Sequence, residues 1–259
     1  MHRSMSFCCI ANYIAIATFM VITNLSYAYD TSSSQDWKFS GNLYLWAVSI
    51  GGETSAGDDI DIGFDDVWDN LNVALMGWGA ARNGNWVICT DIQYAVLEGN
   101  DNTTADLVGQ PVEARLNLKM TQWLAQVAGG YTVSRSEKHM LDVFAGARYF
   151  YQKSEFEFRV GSEKLEFNDS KDVIDGIIGV NSHLNLNDNW YLSSYVDVGT
   201  GDSEFTWQGM ATLGYKLNNF DAIIGYRHIY WDFEDDEDLG EDYNNFDLSG
   251  PLAGITFRF

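Results

Sequence analysis

The sequence predicts an all-β fold, a closed antiparallel transmembrane β-barrel of about ten strands, and three observations carry that expectation. The last stretch, 249–259, alternates: Ser249, Pro251, Ala253, Ile255, Phe257 and Phe259 point one way, and Gly250, Leu252, Gly254, Thr256 and Arg258 the other. Successive strand side chains face opposite sides of a sheet, so one face is greasy and the other small or polar. A soluble sandwich rarely leaves such an edge bare, whereas pairing it with the first strand of the same chain closes a barrel whose outside meets lipid. Secondly, no segment after residue 28 is apolar over the ~18 residues that a spanning helix needs. Thirdly, 15% aromatic residues with only two prolines suit a single β domain of about 230 residues. A mean hydropathy of -0.18 agrees with a barrel, half of whose strand positions face water.

The amino end reads as a secretory signal peptide over 1–28. It has a basic start at His2 and Arg3, an apolar core from about Cys8 to Ile22 that falls short of a membrane span, and the small-residue site Ser26-Tyr27-Ala28. A polar leader, 29–35, follows, and the barrel occupies 36–259. Cys8 and Cys9 leave with the signal. Cys89 then stands alone and a disulfide framework is excluded. Lys and Arg number 15 against 37 Asp and Glu, a net charge of -22, made one unit more negative by removing Arg3. Nucleic acid, whose phosphates demand a basic surface, is excluded as a partner.

Taken in order, the first predicted strand, 36–50, sets Trp37, Phe39, Leu43, Leu45 and Ala47 against Lys38, Ser40, Asn42, Tyr44 and Trp46, a period of two. Gly51-Gly52 opens a polar loop. In 59–71, Phe64, Val67, Trp68 and Leu71 recur at helical spacing, which predicts a short helix or plug-like turn. Its acids, Asp61, Asp65, Asp66 and Asp69, are expected to cap that helix through Asp65 or to anchor it on a basic lumen residue such as Arg82. The second and third strands, 72–82 and 86–98, meet across Asn83-Gly84-Asn85, a tight hairpin signal. A polar connection, 99–109, leads to the fourth. There Glu113, Arg115, Asn117 and Lys119 share one face while Gln122 and Gln126 lie in the opposite phase, which predicts a β-bulge near Met120.

The fifth strand, 140–159, points Val143, Ala145, Ala147, Tyr149 and Tyr151 outward and Arg148 and Gln152 inward. Beyond Ser154 the outward set turns charged, so the strand there stands above the bilayer. The sixth, 165–187, turns Asp175, Asn181 and His183 inward. Four more strands follow at 190–199, 204–217, 220–233 and 243–259, with Trp and Tyr near strand ends as an aromatic girdle requires. Ten strands return both ends to the periplasm. Eight or twelve follow if the pairing of 59–71 differs. Short turns at 83–85, 187–189 and 218–219 mark the periplasmic side, and long acidic loops the exterior.

A closing strand ending on a carboxy-terminal Phe resembles that of Gram-negative outer-membrane β-barrels. The resemblance implies the cell outer membrane, its lipid and the barrel assembly machinery as partners, with Phe257 and Phe259 as the assembly signal. The stretches KFSGNLYLWAVSI, GFDDVWDNL, TWQGMATLGYKL, IGYRHIYWDF and GPLAGITFRF together are similar to one family of small, largely uncharacterised proteobacterial outer-membrane barrel proteins. That likeness implies a fold and a location and carries no catalytic or ligand residue.

Function must then come from the interior, where alternation collects Lys38, Arg82, Asp91, Glu113, Arg115, Lys119, Arg148, Asp175, Asp197, Lys216, Arg227 and Arg258. Both signs are interleaved in a narrow bore. The expectation is a narrow passive pore for ions or small polar solutes, favouring cations. The alternative is a non-conducting structural or surface-interaction barrel whose charges pair across a plugged polar core. No cofactor is expected. Divalent cations are a conceivable ligand of the acidic loops, above all 232–242, which lacks the Asp/Asn and Gly spacing of a calcium loop. An enzyme is not expected: His139, His183 and His228 are scattered, and neighbouring Ser182 and His183 face opposite sides of a strand. Cys89 reads as a small filler.

Overall fold

The computed structural model describes residues 36–54, 57, 59–107, 110–160, 163–233 and 243–258. In chain order these form β1 (Lys38–Trp46), β2 (Ser49–Thr54), β3 (Asp59–Ile62), α1 (Phe64–Asp69), β4 (Leu71–Asn83), β5 (Trp86–Leu107), β6 (Gln110–Arg135), β7 (His139–Val160), β8 (Glu163–Asn185), β9 (Trp190–Gly201), β10 (Phe205–Lys216), β11 (Asp221–Asp232) and β12 (Tyr243–Arg258). The predicted signal peptide and leader, 1–35, the acidic stretch 234–242 and Phe259 lie outside the described residues.

Ten of the strands are staves of a closed barrel. β1 pairs with β4, each strand from β4 onward pairs with the next, and β12 returns to β1. The closing register, Ser40–Arg258 to Trp46–Leu252, seats the last strand as its alternation demands, with Leu252 and Thr256 buried inside and Pro251 and Ala253 exposed. The first strand is interrupted at Ala47 and Val48. Beyond the break, β2 continues along β12 and folds back on β3 as a hairpin standing above β1. Asn83 enters the hairpin into Gly84, whose φ of 57° is the left-handed conformation that favours glycine.

The outward face is apolar around the circumference. Leu43, Leu75, Ile88, Ile178 and Ile224 are each more than half exposed, and water does not tolerate a continuous surface of this kind. Hydrocarbon covers it, and closure leaves no backbone edge in the band except at one seam described below. Aromatic pairs bracket the band. Trp86 meets Tyr131 at 5.1 Å and Trp190 meets Tyr215 at 4.8 Å near the short turns, while Tyr94–Trp123 at 4.5 Å and Trp207–His228 at 4.7 Å stand toward the other rim. His228 is thus a girdle residue.

Two expectations are corrected at β5 and β6. The predicted loop 99–109 is strand to Leu107, and β5–β6 pairing runs in one register from Trp86–Tyr131 to Leu107–Gln110. No bulge occurs at Met120; the register shift of β6 lies instead between Thr132 and Ser134. The apparent phase change has another cause. Lys119 is in register with Glu98 and bonded to it at 3.2 Å on the outward face, above the lipid, where charge is compatible with that face. Arg115 is likewise exposed. Neither lines the lumen. Glu113 lies in the same strand, and its side chain is outside the described set.

The β7–β8 ribbon also rises beyond the bilayer, laced by ion pairs: Lys153 to Glu155 at 2.8 Å, Arg159 to Glu157 at 2.6 Å and Lys164 to Glu157 at 2.7 Å. The hydrogen bond from Lys164 holds the Glu157 carboxyl below its ordinary value of 4.5, and that from Lys153 lowers Glu155. A depressed carboxylate stabilises the fold above its ordinary value and loses that contribution as pH falls through the folded one. Acidification from about pH 6 to about pH 3 is therefore expected to speed amide exchange in this ribbon while the intramembrane strands stay protected.

Candidate functional site

The barrel interior is the candidate site, and it is filled in layers. Its middle layer is a charged network built from inward positions of seven strands. Arg148 of β7 reaches Asp197 of β9 at 2.5 Å, donates to Thr206 Oγ1 at 2.9 Å and contacts Gln208 Oε1 at 3.3 Å and Gln126 Oε1 at 3.4 Å. Arg227 of β11 meets Asp91 of β5 at 2.7 Å and donates to Tyr44 OH and to Gln208 Oε1, both at 2.9 Å. Tyr44 OH in turn donates to Asp91 Oδ1 at 2.7 Å. Gln208 thus stands between the two guanidinium groups, each of which has its own carboxylate. Two cations so close are tolerable out of water only because both are neutralised and hydrogen-bonded. Asp175, fully buried, accepts from Ser203 N at 3.0 Å and Ser203 Oγ at 2.8 Å, which ties the β9–β10 turn over the network.

Toward the exterior lies an apolar layer. Trp231 has 0% exposure and packs on Phe150 at 5.0 Å and Phe246 at 6.0 Å, joined by Ile229, Leu248, Leu124 and, from α1, Val67. Toward the periplasm, Arg82 grips Asp142 at 2.6 Å and 3.1 Å and Thr132 at 2.6 Å, Arg258 pairs with Asp221, and Phe144 stacks on Tyr195 at 4.9 Å.

Of the predicted lumen residues, Lys38, Arg82, Asp91, Arg148, Asp175, Asp197, Lys216, Arg227 and Arg258 stand at inward positions. They form separate clusters rather than one file. Asp142 and Asp221 were missed, although each shares strand parity with a predicted residue, Arg148 and Arg227; extending the alternation to the strand ends would have found them. The glutamines had no such signal, because a neutral amide becomes a bridge only once its neighbours are known.

The helix predicted in 59–71 is present, but its anchoring differs. Gly63 is its N-cap, without a side-chain cap, so Asp65 is no cap. Arg82 lies at the periplasmic end, committed to Asp142. Val67 is the buried residue of α1, so apolar packing seats it. Ser182 and His183 do part as expected: His183 Nδ1 turns in to Ser193 Oγ at 3.0 Å, and Ser182 Oγ faces out to His139 Nε2 at 3.3 Å. Cys89 Sγ meets Ala128 O at 3.7 Å, a packing position. Among the described residues no group of three His, Cys, Asp or Glu is arranged to hold a metal ion; the acidic stretch 234–242 is not among them.

No family model matches the chain, and no curated protein matches it by sequence. Solved structures do. The outer membrane protease OmpT from Escherichia coli superposes with a TM-score of 0.50 at 10% identity, over 89% of this chain and 100% of that one. The translocator domain of the autotransporter NalP from Neisseria meningitidis gives 0.45 at 12%, over 86% and 88%. Ail of Yersinia pestis gives 0.39 at 11%, over 86% and 98%. At such identities the likeness to the first is one of fold: a ten-stranded outer-membrane β-barrel.

Proposed function

We propose that this chain is an integral barrel of the Gram-negative outer membrane that is closed along its axis and works as a stable surface protein rather than as an open pore. The observation that supports this is the dry middle of the lumen. Arg148, Arg227 and Asp197 are each 1% exposed, with Trp231 and Ile229 at 0% directly above. Ion passage needs water or displaceable ligands along the path. Here the charged side chains that would line it are spent on one another.

Purified protein reconstituted in a planar bilayer is expected to be electrically silent across physiological voltages. Discrete, voltage-stable conductance steps would overturn the reading and restore the narrow pore as the better description. The same reading has the closing strand recognised by the assembly machinery. Deleting Phe259 is expected to lower the amount of folded, heat-modifiable barrel in outer membranes several-fold without changing synthesis, read by comparing boiled and unboiled samples.

A further inference from the structure

We infer that the extracellular half of the barrel binds a single-chain lipid with an uncharged, hydrogen-bond-accepting head, admitted sideways from the membrane through a seam between the end of β1 and β4. The seam follows from the pairing. The β1–β4 ladder runs from Lys38–Arg82 to Leu43–Gly77 and stops. Toward the exterior, residues Leu71 to Met76 of β4 pair on the β5 side, and β3 pairs with β2. Among the described residues, α1 bridges the gap as the connection from β3 to β4. An unpaired backbone edge at membrane depth costs several kcal/mol per group and persists where it borders protein or a cavity.

The height of the gap is set by Leu75, in register with Tyr94 of the girdle pair. Leu45 and Leu75, both exposed, flank it at the level of the outer-leaflet chains. Behind the seam and beneath α1 lies a narrow cleft whose walls include Trp46, Ile50, Val67, Trp68, Leu97 and Leu124. About 600 Å³ is empty within it, open solvent included, room on the order of a single hydrocarbon chain. α1 is six residues long with no side-chain cap and one buried residue, Val67, and its Trp68 is 55% exposed, so lifting it gives up the packing of one buried side chain.

The cleft has two polar lining residues, Gln93 and Gln122. Gln93 donates to Asp91 at 3.3 Å. The buried amide nitrogen of Gln122 has no hydrogen-bond partner, an unfavourable condition that an acceptor on a ligand would relieve. No Lys or Arg lines the cleft and the chain carries a net charge of -22, so a neutral ester or hydroxyl head fits and a carboxylate does not. A monoacylglycerol has this chemistry.

The test uses the mature protein in phosphatidylcholine nanodiscs, titrated with a monoacylglycerol brominated on its chain, which quenches indole fluorescence on contact. The result expected is a saturable phase above the linear quenching of lipid-facing tryptophans. It should vanish in Ala95→Phe, which fills the cleft from a residue of its wall, or in Leu97→Trp should the first variant not fold. In Gln122→Leu the midpoint should rise by roughly tenfold, the loss of one buried hydrogen bond, while a brominated alkane binds that variant and the wild type alike. A brominated fatty acid of equal length should bind more weakly than the ester.

Purely linear quenching in the wild type, or a saturable phase that the cleft-filling variants leave intact, would overturn the site. An equal response of alkane and ester to Gln122→Leu would overturn the head assignment. Saturation reached only when the probe is added from water, and never when it is preloaded in the disc, would overturn the seam. The inference does not rest on the axial closure proposed above: a silent bilayer without lipid binding, or a conducting one with it, separates the two.

Discussion

Arg148→Met is expected to destabilise the folded barrel by about 3–5 kcal/mol, the cost of leaving a buried carboxylate without its partner. Asp197 is 1% exposed and holds Arg148 at 2.5 Å. After the substitution it would face Gln208 and Thr206 with no cation to neutralise it. The double variant Arg148→Met with Asp197→Leu should recover most of that loss, because two well-packed apolar side chains replace two desolvated charges. Urea unfolding followed by tryptophan fluorescence measures both. A single variant costing under about 1 kcal/mol would mean that water reaches the pair, and the closed axis would then fall with it.

Trp231→Ala should remove a similar amount, about 3–5 kcal/mol, by leaving a cavity that the rigid staves cannot collapse into. Trp231 sits between Phe150 and Phe246, and its indole N–H is buried without a partner. Trp231→Phe should therefore cost clearly less, since it keeps most of the packing and drops an unsatisfied donor. The alanine variant also removes the largest side chain above the Arg148–Arg227 layer. It is expected to turn a silent barrel into one showing brief, irregular conductance in a planar bilayer. Trp207, on the outward face beside His228, is the control: its loss should leave both stability and silence nearly unchanged. Silence of the Trp231→Ala variant together with normal stability would remove the apolar layer from the account.

Much of this architecture was legible because period-two alternation is a local property. Leu43 and Leu45 against Tyr44 and Trp46, or Ile178 and Val180 against Asn181 and His183, declare their faces without any knowledge of the partner strand. The same reasoning erred at Arg115 and Lys119. There it equated polar with inward, although a strand that leaves the bilayer meets water on both sides. It also placed a bulge at Met120 to repair a phase change that came from the end of the lipid, not from the strand.

The acidic and basic side chains of the interior were legible one by one, but not their pairing. Arg227 finds Asp91 and Tyr44, and Arg82 finds Asp142, across sequence separations that only the shear of the closed barrel sets. For that reason the chain could announce a mixed-charge lumen and yet leave open whether it conducts. The strand faces, the ten staves and the short turns follow from neighbours along the backbone, where hydrophobicity and turn chemistry act within a few residues. The neutralised Arg148–Gln208–Arg227 layer, the aromatic cover above it and the seam beside α1 exist only once distant strands meet. Electrostatic pairing and close packing depend on distances of a few ångströms in space, which order along the chain does not supply.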